Sequence, residues 1–437
     1  MSKPLDALRR FLAANAAAQL AIAYSGGLDS SVLLHSVATL SQESAASSPL
    51  DLRVVHVDHG LLANSARWAE HCAAVADALG LSFCAVRVEV DLRAGLGLEA
   101  AARKARYAAF QQVLPNGTLL LTAHHQDDQC ETLLLKLLRG AGTRGLSGMA
   151  PLRKLGALLL GRPFLTLARE DLLEYARFHG LAWLDDPSNT DQRYARNRIR
   201  HSVLPAMREI APNVEQVLVA LAGQARADRA LLEAQAHAAL ARCQGLDGLT
   251  LSLAALEREP AALRAWVLRA WLATYGHFES VQPILSMFDA KHDRQPEVRL
   301  LGASVRRFQN ALYLLADCPQ WEAGALVRWD AQAELSLPHG LLSFDKPVEK
   351  QDFIVRLRQG GERLRLPGRS QHSALKDLFQ SLSVPPWERN RVPLLFSGRE
   401  LVAVAGICAS AEFVAWQDKT GARLVWTGSR RCDKVMA

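Results

Sequence analysis

Ser25-Gly26-Gly27-Leu28-Asp29-Ser30-Ser31 follows an apolar run at residues 20–24 and precedes a second apolar run. This context predicts a strand, a glycine turn and the start of a helix. Two adjacent glycines let the backbone approach an anion without a side-chain clash, and a helix start offers unpaired N–H groups and the positive end of a dipole. The stretch is therefore predicted to bind a phosphate, with Ser25, Ser30 and Ser31 as hydroxyl donors and Asp29 as a ligand for a magnesium ion on the phosphates.

The same stretch lacks the lysine of a Walker A loop, which argues against P-loop NTPase chemistry. A serine-capped turn without a function is the alternative for an isolated Ser-Gly-Gly. The full pattern after a strand favours a site, and it resembles the phosphate loop of ATP pyrophosphatases, which release diphosphate and form an adenylated intermediate. That superfamily includes GMP synthetases, asparagine synthetases, tRNA thiolases and tRNA(Ile)-lysidine synthetases. The resemblance implies that ATP is bound by Ser25, Gly26, Gly27, Leu28, Asp29 and Ser30.

Length and composition are those of a globular protein with two to three domains. The chain has 437 residues, of which 49% are hydrophobic and 22% charged, and no apolar run approaches the length of a membrane span. Residues 1–15 do not read as a secretory signal, so a cytoplasmic protein is expected. The seven cysteines are scattered without a Cys-x-x-Cys pair, which argues against a disulfide framework, a zinc site or an iron–sulfur cluster.

Positive charge is modest overall but gathers in two places. The formal net charge is +7. One cluster comprises Arg193, Arg196, Arg198, Arg200 and His201, and the other comprises Arg356, Arg358, Arg363, Arg365 and Arg369. Either cluster alone fits a solvated surface, but two clusters on a chain with a phosphate loop favour RNA as a partner.

Apolar runs alternate with amphipathic helical patterns along the first 205 residues. The runs lie at residues 20–24, 53–57, 83–88 and 118–122, and the helical patterns include residues 65–79 and 99–113. The alternation predicts an α/β fold with a doubly wound parallel sheet. In such sheets the ligand lies beyond the carboxyl ends of the strands. The Ser25 loop, Val57-Asp58-His59-Gly60 and residues 123–132 each follow a predicted strand, so they are expected to meet at the active site.

Residues 124–132 carry most of the candidate chemistry. If a helix begins near residues 126–128, Asp128 and Glu131 lie on one face of its first turns. Two such carboxylates can hold magnesium, accept a proton or fix an ammonium group; alternatively, Asp127 or Asp128 caps the helix and Glu131 closes a capping box. His124 and His125 lack further ligands at zinc spacing, so hydrogen bonds or phosphate contacts are expected of them. Cys130 is expected to be structural.

Further segments resemble tRNA(Ile)-lysidine synthetases specifically, because they occur in the order found in that family. They are Val57-Asp58-His59-Gly60-Leu61, Arg162-Pro163-Phe164-Leu165 and residues 99–107, 124–132, 138–149, 183–189 and 194–200. Later stretches at residues 360–363, 375–379 and 384–394 resemble the carboxy-terminal RNA-binding module of longer members. Pro385 and Pro386 fix an extended entry to Trp387, which leaves open a structural turn or a base-stacking platform.

The resemblance implies a domain order. An N-terminal catalytic domain is expected at residues 1–205, followed by a mainly helical substrate-binding domain at 206–323, a connector at 324–352 and a small α+β tRNA-binding domain at 353–437. The implied reaction adenylates the carbon-2 oxygen of the wobble cytidine of a tRNA(Ile) with a CAU anticodon. The ε-amine of free L-lysine then displaces AMP and forms lysidine, with Mg²⁺ as the cofactor.

The roles that the resemblance implies are hypotheses about single residues. Asp128 and Glu131 would hold magnesium or the lysine amine, and Arg196 would stabilise charge on the adenylate or orient the cytidine. Asp29 and Asp128 are the candidate magnesium ligands. Weaker candidates for contacts with tRNA or substrate are His124, His125, Asp127, Arg103, Arg106 and Arg200.

Two rival functions remain. A tRNA thiolase of the same superfamily would use a sulfur donor and tends to carry catalytic cysteines, and paired cysteines are missing here. A non-catalytic protein would bind ATP and tRNA without forming AMP and diphosphate. The ligase is favoured because the loop, the acidic segment and the arginine-rich segment occur together. The sequence leaves the oligomeric state open, a homodimer included.

Overall fold

The phosphate-loop stretch follows a central strand of a six-stranded sheet in the N-terminal part of the chain. The computed structural model describes residues 2–44, 51–60, 65–91, 98–185, 192–289, 296–317, 321 and 325–428. Contacts between Cα atoms divide the chain into two units, Met1–Leu231 and Leu232–Ala437. Each unit contains hydrophobic clusters of its own. The first division therefore falls within the predicted helical domain rather than at residue 205.

The sheet of the first unit confirms the predicted α/β fold. Its strands are β1 (Gln19–Ala23), β2 (Asp51–Asp58), β3 (Ser82–Arg87), β4 (Leu119–Leu121), β5 (Leu152–Leu155) and β6 (Leu158–Gly161). They are ordered β3-β2-β1-β4-β6-β5. All neighbours are parallel except β5 and β6. β5, for which no strand was predicted, is antiparallel to β6, because the two-residue turn that joins them can connect only antiparallel strands.

Helices cover both faces of this sheet. The helices that begin in this part of the chain are α1 (Lys3–Ala14), α2 (Leu28–Ser44), α3 (Ser65–Ala78), α4 (Leu98–Val113), α5 (Gln126–Leu138), α6 (Thr143–Leu146), α7 (Arg169–Phe178), α8 (Ala195–Arg198), α9 (Leu204–Ile210) and α10 (Val214–Cys243). Alternate residues of a strand point to opposite faces. Leu20 and Ile22 pack with α1, α2, α3 and α7, while Ala21 packs with α4 and the β5–β6 hairpin. The sheet is therefore doubly wound.

The strand order reverses beside β1. The chain moves outward from β1 through β2 to β3, and α4 then returns it to β4 on the other side of β1. In open α/β sheets a ligand binds at such a reversal, beyond the carboxyl ends of the strands. The Ser25 loop follows β1 and His124 follows β4, so the topology brings these two predicted segments to one place.

The second unit begins with helices and an antiparallel sheet. The helices are α11 (Leu253–Arg258), α12 (Ala261–Thr274) and α13 (Gln282–Leu285), and the strands are β7 (Thr250–Ser252), β8 (Glu297–Leu300), β9 (Ala303–Phe308) and β10 (Ala311–Ala316). The strands are ordered β7-β10-β9-β8. The expectation of a mainly helical region missed this sheet. Its signal is the alternating burial of β10 after a tight turn at Gln309-Asn310. No helix of the described residues is long and apolar enough to cross a membrane.

The C-terminal part of the second unit is built of short strands around two helices and a helical turn. Its strands are β11 (Leu326–Trp329), β12 (Leu335–Leu337), β13 (Gly340–Phe344), β14 (Phe353–Arg356), β15 (Arg363–Leu364), β16 (Ser373–Ala374), β17 (Leu394–Ser397), β18 (Glu400–Val404), β19 (Cys408–Ala409) and β20 (Leu424–Gly428). Its helical segments are α14 (Leu375–Ser381), the short α15 (Pro386–Arg389) and α16 (Ala411–Thr420). This part is α+β, as expected.

The segment 324–352, predicted to be a connector, belongs to this C-terminal fold. β11 pairs with β14, and β13 pairs with β20. Trp329 and Leu342 are buried in the same cluster as Phe353. The connector prediction is corrected because these short alternating strands bury one face against residues that follow them in the chain.

Trp387 packs inside the second unit. Its ring lies 5.9 Å from Phe308 and 5.3 Å from Tyr313, and the guanidinium of Arg306 lies 5.6 Å from the ring centroid. All three neighbours belong to β9 and β10. The geometry favours the structural reading of this tryptophan over a base-stacking platform, since a ring enclosed by two aromatic side chains and a guanidinium offers little face to a nucleotide.

The first prediction concerns this tryptophan. Trp387→Ala is expected to lower the free energy of unfolding by about 3–5 kcal/mol, because it removes a buried aromatic ring from a packed contact. Denaturant unfolding of the full chain measures this, with Trp387→Phe as the milder variant. Unchanged unfolding combined with weaker tRNA binding would instead support the base-stacking reading.

Candidate active site

The phosphate loop is held in shape by its own hydroxyl groups. Ser30 Oγ donates to the Gly27 carbonyl at 3.0 Å, accepts from the Ser25 amide at 3.2 Å and lies 3.0 Å from Ser25 Oγ. Tyr24 at the end of β1 is buried, and its hydroxyl lies 3.3 Å from Ser31 Oγ. α2 begins at Leu28, so its first N–H groups have no acceptor within the helix. The loop leaves these amides available to an anion, whereas the Ser30 hydroxyl proton is already donated to the Gly27 carbonyl.

Gly26 takes a conformation that requires glycine. Its φ is +80°, and a Cβ at this position would lie 3.0 Å from both Cys72 Sγ and Trp68 Nε1. The Trp68 indole donates to the Ser25 carbonyl at 2.8 Å, so α3 supports the loop from behind. Sequence reasoning did not single out Trp68, because its partner lies 43 residues away in the chain.

The first turn of α5 places the acidic segment beyond β4. α5 begins at Gln126, as predicted, and Asp128 Oδ2 accepts from the His125 backbone amide at 3.1 Å. Asp128 therefore closes the capping box. The alternative that gave this role to Glu131 is wrong, because Glu131 lies one turn further along the helix and faces the arginine-rich segment instead.

Glu131 is fully buried between two arginines. Its Oε2 accepts from Arg196 Nε at 2.5 Å, and its Oε1 accepts from Arg200 Nε at 2.6 Å. Arg196 Nη2 also donates to Asp128 Oδ1 at 2.8 Å. Arg196 lies in α8 and Arg200 in the π-helical turn Ile199–Val203 that continues it, so the four-residue spacing puts both side chains on one face. Both oxygens of Glu131 are thus engaged in positioning arginines.

The two arginine heads remain reachable from solvent. The side chains of Arg196 and Arg200 are 23% and 30% exposed, whereas that of Glu131 is 0% exposed. The prediction that Arg196 joins the acidic segment fits this geometry, and Arg200, a weaker candidate, stands beside it. The arrangement can present two guanidinium groups to an anion while a buried carboxylate fixes their orientation.

His125 is surrounded by three carboxylates. Its Nε2 lies 3.5 Å from Asp128 Oδ2 and 3.6 Å from Asp29 Oδ2, and its Nδ1 lies 3.7 Å from Asp127 Oδ1. Burial alone would lower the pKa of this imidazole, but Asp128, Asp127 and Asp29 outweigh burial and raise it to about 10. The ring is therefore cationic. A cationic ring carries a proton on Nδ1. Although Nδ1 lies 3.3 Å from the Asp127 backbone amide, it therefore cannot accept a hydrogen bond from that amide and faces the Asp127 carboxylate instead.

Asp127 and Asp128 stay ionised. Burial would raise the pKa of the Asp128 carboxyl, but His125 and Arg196 outweigh burial and hold it far below its ordinary value. For Asp127, burial is likewise outweighed by His125 and Arg208, so its pKa is lowered. Arg208 donates to Asp127 Oδ2 at 3.3 Å and to Glu215 at 2.6 Å. Arg208 and Glu215 were missed in the sequence because they follow the last family-like segment.

The charges around this cluster almost cancel. Within the described residues it comprises five carboxylates, those of Asp29, Asp127, Asp128, Glu131 and Glu215, and four cations, those of His125, Arg196, Arg200 and Arg208. One negative charge is in excess. This excess favours an ammonium group or a metal ion beside the carboxylates, while the exposed parts of Arg196 and Arg200 can still contact an anion.

Asp29 and Asp128 were the candidate magnesium ligands. Asp29 Oδ1 is buried without a hydrogen-bond partner, and carboxylate oxygens beside a phosphate loop are suitable magnesium ligands. Asp29 therefore fits a metal ion. Asp128 fits less well, because its Oδ1 is engaged by Arg196 and its Oδ2 by the His125 amide. No group of three or more His, Cys, Asp or Glu that could hold a metal is found among the residues described.

His124 borders the cluster as a neutral ring. Its Nδ1 lies 2.8 Å from Thr122 Oγ1. Burial lowers the pKa of His124 to about 3, with Asp128 opposing and Arg162, Arg106 and Arg103 reinforcing the decrease. Arg103 and Arg106 do not join the carboxylates. They lie instead against Tyr107, with their guanidinium carbons 4.9 and 5.7 Å from its ring centroid.

Cys130 is structural, as expected. It is buried, and its Sγ lies 3.7 Å from the Glu215 carbonyl. Burial raises the pKa of the thiol to about 12, with Glu215 and Asp127 adding to the increase. A thiol that stays protonated is a poor nucleophile.

The arginines of residues 356–369 are engaged within the second unit. Arg356 donates to the buried Glu362 at 2.9 Å, and Arg365 pairs with Glu412. Arg363 donates to the His372 carbonyl. The interpretation of this stretch as a free phosphate-binding cluster is therefore weakened, since several of its charges already have partners.

Three family models match the chain in order. A PP-loop domain matches residues 3–207, a TilS substrate binding domain matches residues 251–313, and a TilS substrate C-terminal domain matches residues 353–426. Together these models cover the N-terminal sheet, most of the β7–β10 sheet and the C-terminal fold from β14 onward. The cluster of carboxylates and cations around His125 lies within the first match, apart from Arg208 and Glu215, which follow it.

Relatives with similar sequences cover nearly the whole chain. A tRNA(Ile)-lysidine synthase from Xanthomonas axonopodis pv. citri is 41% identical over 93% of this chain and 93% of its own length. The enzyme of the same name from Coxiella burnetii is 37% identical over 92% and 91%. Among solved structures, a U34-tRNA thiolase, NcsA, from Methanococcus maripaludis is 14% identical, with a TM-score of 0.41 over 51% of this chain and 78% of that one.

Proposed function

The chain belongs to the tRNA(Ile)-lysidine synthase family, and from this we propose that it ligates free L-lysine to carbon 2 of a wobble cytidine. The substrate would be a tRNA(Ile) with a CAU anticodon, and ATP would be converted to AMP and diphosphate. The product base, lysidine, would read adenosine instead of guanosine and change the identity of the tRNA from methionine to isoleucine. The proposal locates the reaction in the cytoplasm.

One observation carries the proposal. The phosphate loop after β1 and the arginine–carboxylate cluster on α5 and α8 lie at the reversal of strand order, linked by the Asp29–His125 contact of 3.6 Å. The proposed ATP site and the proposed acceptor site would thus be adjacent. A two-step ligation through an adenylated base needs this adjacency. The α-phosphorus of ATP must first bond to the cytidine oxygen and must later leave with that oxygen as AMP.

In the first step the cytidine carbon-2 oxygen would attack the α-phosphorus of ATP, and diphosphate would leave. The loop would bind the departing diphosphate through the first N–H groups of α2 and through Ser25 and Ser30. Arg196 and Arg200, fixed by Glu131, would stabilise the negative charge that develops on the transferring phosphate. A magnesium ion held by Asp29, with Asp128 as a weaker ligand, would neutralise phosphate charge when bound.

In the second step the lysine ε-amine would attack carbon 2, and AMP would leave with the former carbonyl oxygen. Asp127 and Asp128 have lowered pKa values and stay ionised. Carboxylates with such low pKa values are weak bases, so they would hold the ammonium form of lysine, which would lose a proton to solvent before the neutral ε-amine attacks. We therefore assign them the binding of the lysine side chain, while Glu131 acts through the two arginines that occupy both of its oxygens.

The test is lysine incorporation. The purified protein is incubated with ATP, Mg²⁺, radiolabelled lysine and unmodified tRNA(Ile) with a CAU anticodon, and the RNA is then treated with mild alkali, which removes an aminoacyl ester but not a base-linked lysine. Alkali-stable label that depends on ATP and on the wobble cytidine is expected. ATP and tRNA binding without label would favour the non-catalytic alternative. Sedimentation of the same preparation tests whether the chain forms a homodimer.

A second prediction separates the ligase from a thiolase. Cys130→Ala is expected to leave lysine incorporation unchanged and to lower the free energy of unfolding by about 1 kcal/mol. The substitution removes a buried thiol whose hydrogen-bond contact is with a backbone carbonyl. The rate of label incorporation and a denaturant titration measure the two effects. A folded variant without activity would assign Cys130 a chemical role and reopen the thiolase reading.

A further inference from the structure

Four arginines surround the ring of Tyr107. The guanidinium carbons of Arg103, Arg106 and Arg153 lie 4.9, 5.7 and 5.2 Å from the ring centroid. Arg162, which follows β6, is 2% exposed and close enough to lower the pKa of the Tyr107 hydroxyl. We call Arg103, Arg106, Arg153 and Arg162 the arginine group. Two come from α4 and two from the β5–β6 hairpin, so the packing of Tyr107 between these elements assembles them.

The arginine group has no acidic partner within the described part of the chain. None of its four members forms an ion pair there, and Arg162 donates only to the Ala150 carbonyl, at 2.7 Å. Arg162 Nε is buried without a hydrogen-bond partner. Like charges gathered around one ring repel each other, and buried unsatisfied donors cost free energy. An anion with several oxygens would relieve both penalties.

The arginine group borders the carboxylate cluster but lies on a different face of the sheet from the phosphate loop. Tyr107 packs with Ala21, Val55 and Leu120, whereas α2, which begins at the phosphate loop, packs on the opposite face with Leu20 and Ile22. His124 lies within electrostatic reach of Asp128 and of three members of the group. The group is thus a neighbour of the proposed acceptor site, while the ATP phosphates already have the loop as their site.

We propose that the arginine group is an anion pocket that binds a backbone phosphate of the tRNA next to the wobble cytidine. The proposal rests on the proposed function, because the cytidine must reach the Asp128 cluster for the phosphate to lie here. Arginine forks match the paired oxygens of a phosphodiester, and the aromatic ring of Tyr107 holds three of the forks apart by cation–π contacts. A phosphate held here would fix the position of the base that reacts.

The test uses pairs of variants that each remove one charge from adjacent positions. Arg153→Gln is paired with Lys154→Gln, and Arg103→Gln with Lys104→Gln; both lysines are exposed. Binding of an unmodified anticodon stem-loop RNA is measured over a range of salt concentrations. The arginine variants are expected to bind about tenfold more weakly. They should also lower the slope of log affinity against log salt by about 1, and the lysine variants should not.

A chemically altered RNA locates the phosphate. One phosphate beside the wobble cytidine is replaced by a neutral methylphosphonate. This stem-loop is expected to bind the wild type about tenfold more weakly than the unaltered RNA does, whereas Arg153→Gln should bind both RNAs with equal affinity. Equal losses in arginine and lysine variants, or additive losses with the methylphosphonate, would overturn the proposal. So would weaker ATP binding with unchanged RNA binding, since the pocket would then hold a nucleotide phosphate. These readouts use binding alone, so a chain that binds in this way without forming lysidine would refute the ligase and keep the pocket.

Discussion

Replacing Glu131 with glutamine is expected to lower lysine incorporation by about 10²–10³-fold, the loss typical of removing one electrostatic stabiliser of a transition state. The substitution keeps the shape of the side chain but removes the charge that two arginines share. Glu131 is fully buried and accepts from Arg196 at 2.5 Å and from Arg200 at 2.6 Å. An amide can accept through one atom only, so one of the two guanidinium groups must turn away.

The same substitution is expected to lower the free energy of unfolding by about 3–5 kcal/mol, because removing one partner of a buried ion pair leaves uncompensated charge. Arg196 keeps Asp128 as a second partner at 2.8 Å, whereas Arg200 approaches Asp128 only to 3.6 Å. Arg200 should therefore be the arginine that is released. Thermal unfolding and lysine incorporation, both at several temperatures, separate the loss of folded protein from the loss of rate.

Two comparisons make the Glu131 prediction specific. Glu209→Gln removes a carboxylate from an exposed position on α9 and should change neither measurement. Arg200→Gln combined with Glu131→Gln should cost less than the two single changes added, with a coupling of about 0.5–3 kcal/mol. If Glu131→Gln is folded at low temperature and ligates at the normal rate, the orientation of the arginines does not matter to the reaction, and the proposed role of Glu131 fails.

Residues near each other in the sequence account for what could be predicted about this site. The glycine turn, the start of α5 at Gln126 and the four parallel strands β1 to β4 follow from local patterns, since each depends on the alternation of apolar residues or on one turn. Doubly wound topology then brings Ser25 and His124 together, because strand ends meet at the reversal beside β1. The choice of residues for the site therefore needed little tertiary information.

The roles of those residues could not be predicted in the same way. Asp128 and Glu131 look equivalent at a spacing of three, yet one closes the helix cap and the other lies between two arginines more than 60 residues away. Which of the two carboxylates takes which role depends on where α8 packs. Arg103 and Arg106 were assigned to substrate contact from the family pattern, but only the fold reveals that the β5–β6 hairpin adds Arg153 and Arg162 to them.

Short antiparallel strands explain the errors in the second unit. β8, β9 and β10 are four to six residues long and follow a helical region. The longer helical pattern therefore led to the prediction of a mainly helical domain. β11 and β13 pair with strands that lie further along the chain, and no local signal identifies those partners. The apparent connector at 324–352 therefore contains one local hairpin, β12–β13, but joins the C-terminal fold through pairings with strands that lie beyond it.

The Gly26→Ala substitution is expected to lower ATP-dependent diphosphate release by about 10²-fold, since displacing a catalytic loop by about 1 Å has that effect on rate. Gly26 has a φ of +80°, and the new Cβ would lie 3.0 Å from Trp68 Nε1 and 3.0 Å from Cys72 Sγ. The indole would have to move, and its hydrogen bond to the Ser25 carbonyl would be strained or lost. The amides and hydroxyls that form the anion site would then shift together.

Two other glycines separate strain from collision in this prediction. Gly80 has a φ of +69°, and a Cβ added there would meet no atom within 4 Å, so Gly80→Ala should cost about 1–2 kcal/mol of left-handed strain and leave the rate unchanged. A Cβ on Gly27 would meet Ser25 Oγ at 3.6 Å and the Leu184 carbonyl at 3.8 Å, which are ordinary contacts. Gly27→Ala should therefore fold normally, and any loss of ATP affinity would report how closely a phosphate approaches that backbone. If Gly26→Ala behaves like Gly80→Ala, the contact with Trp68 does not set the shape of the loop, and the support assigned to α3 is wrong.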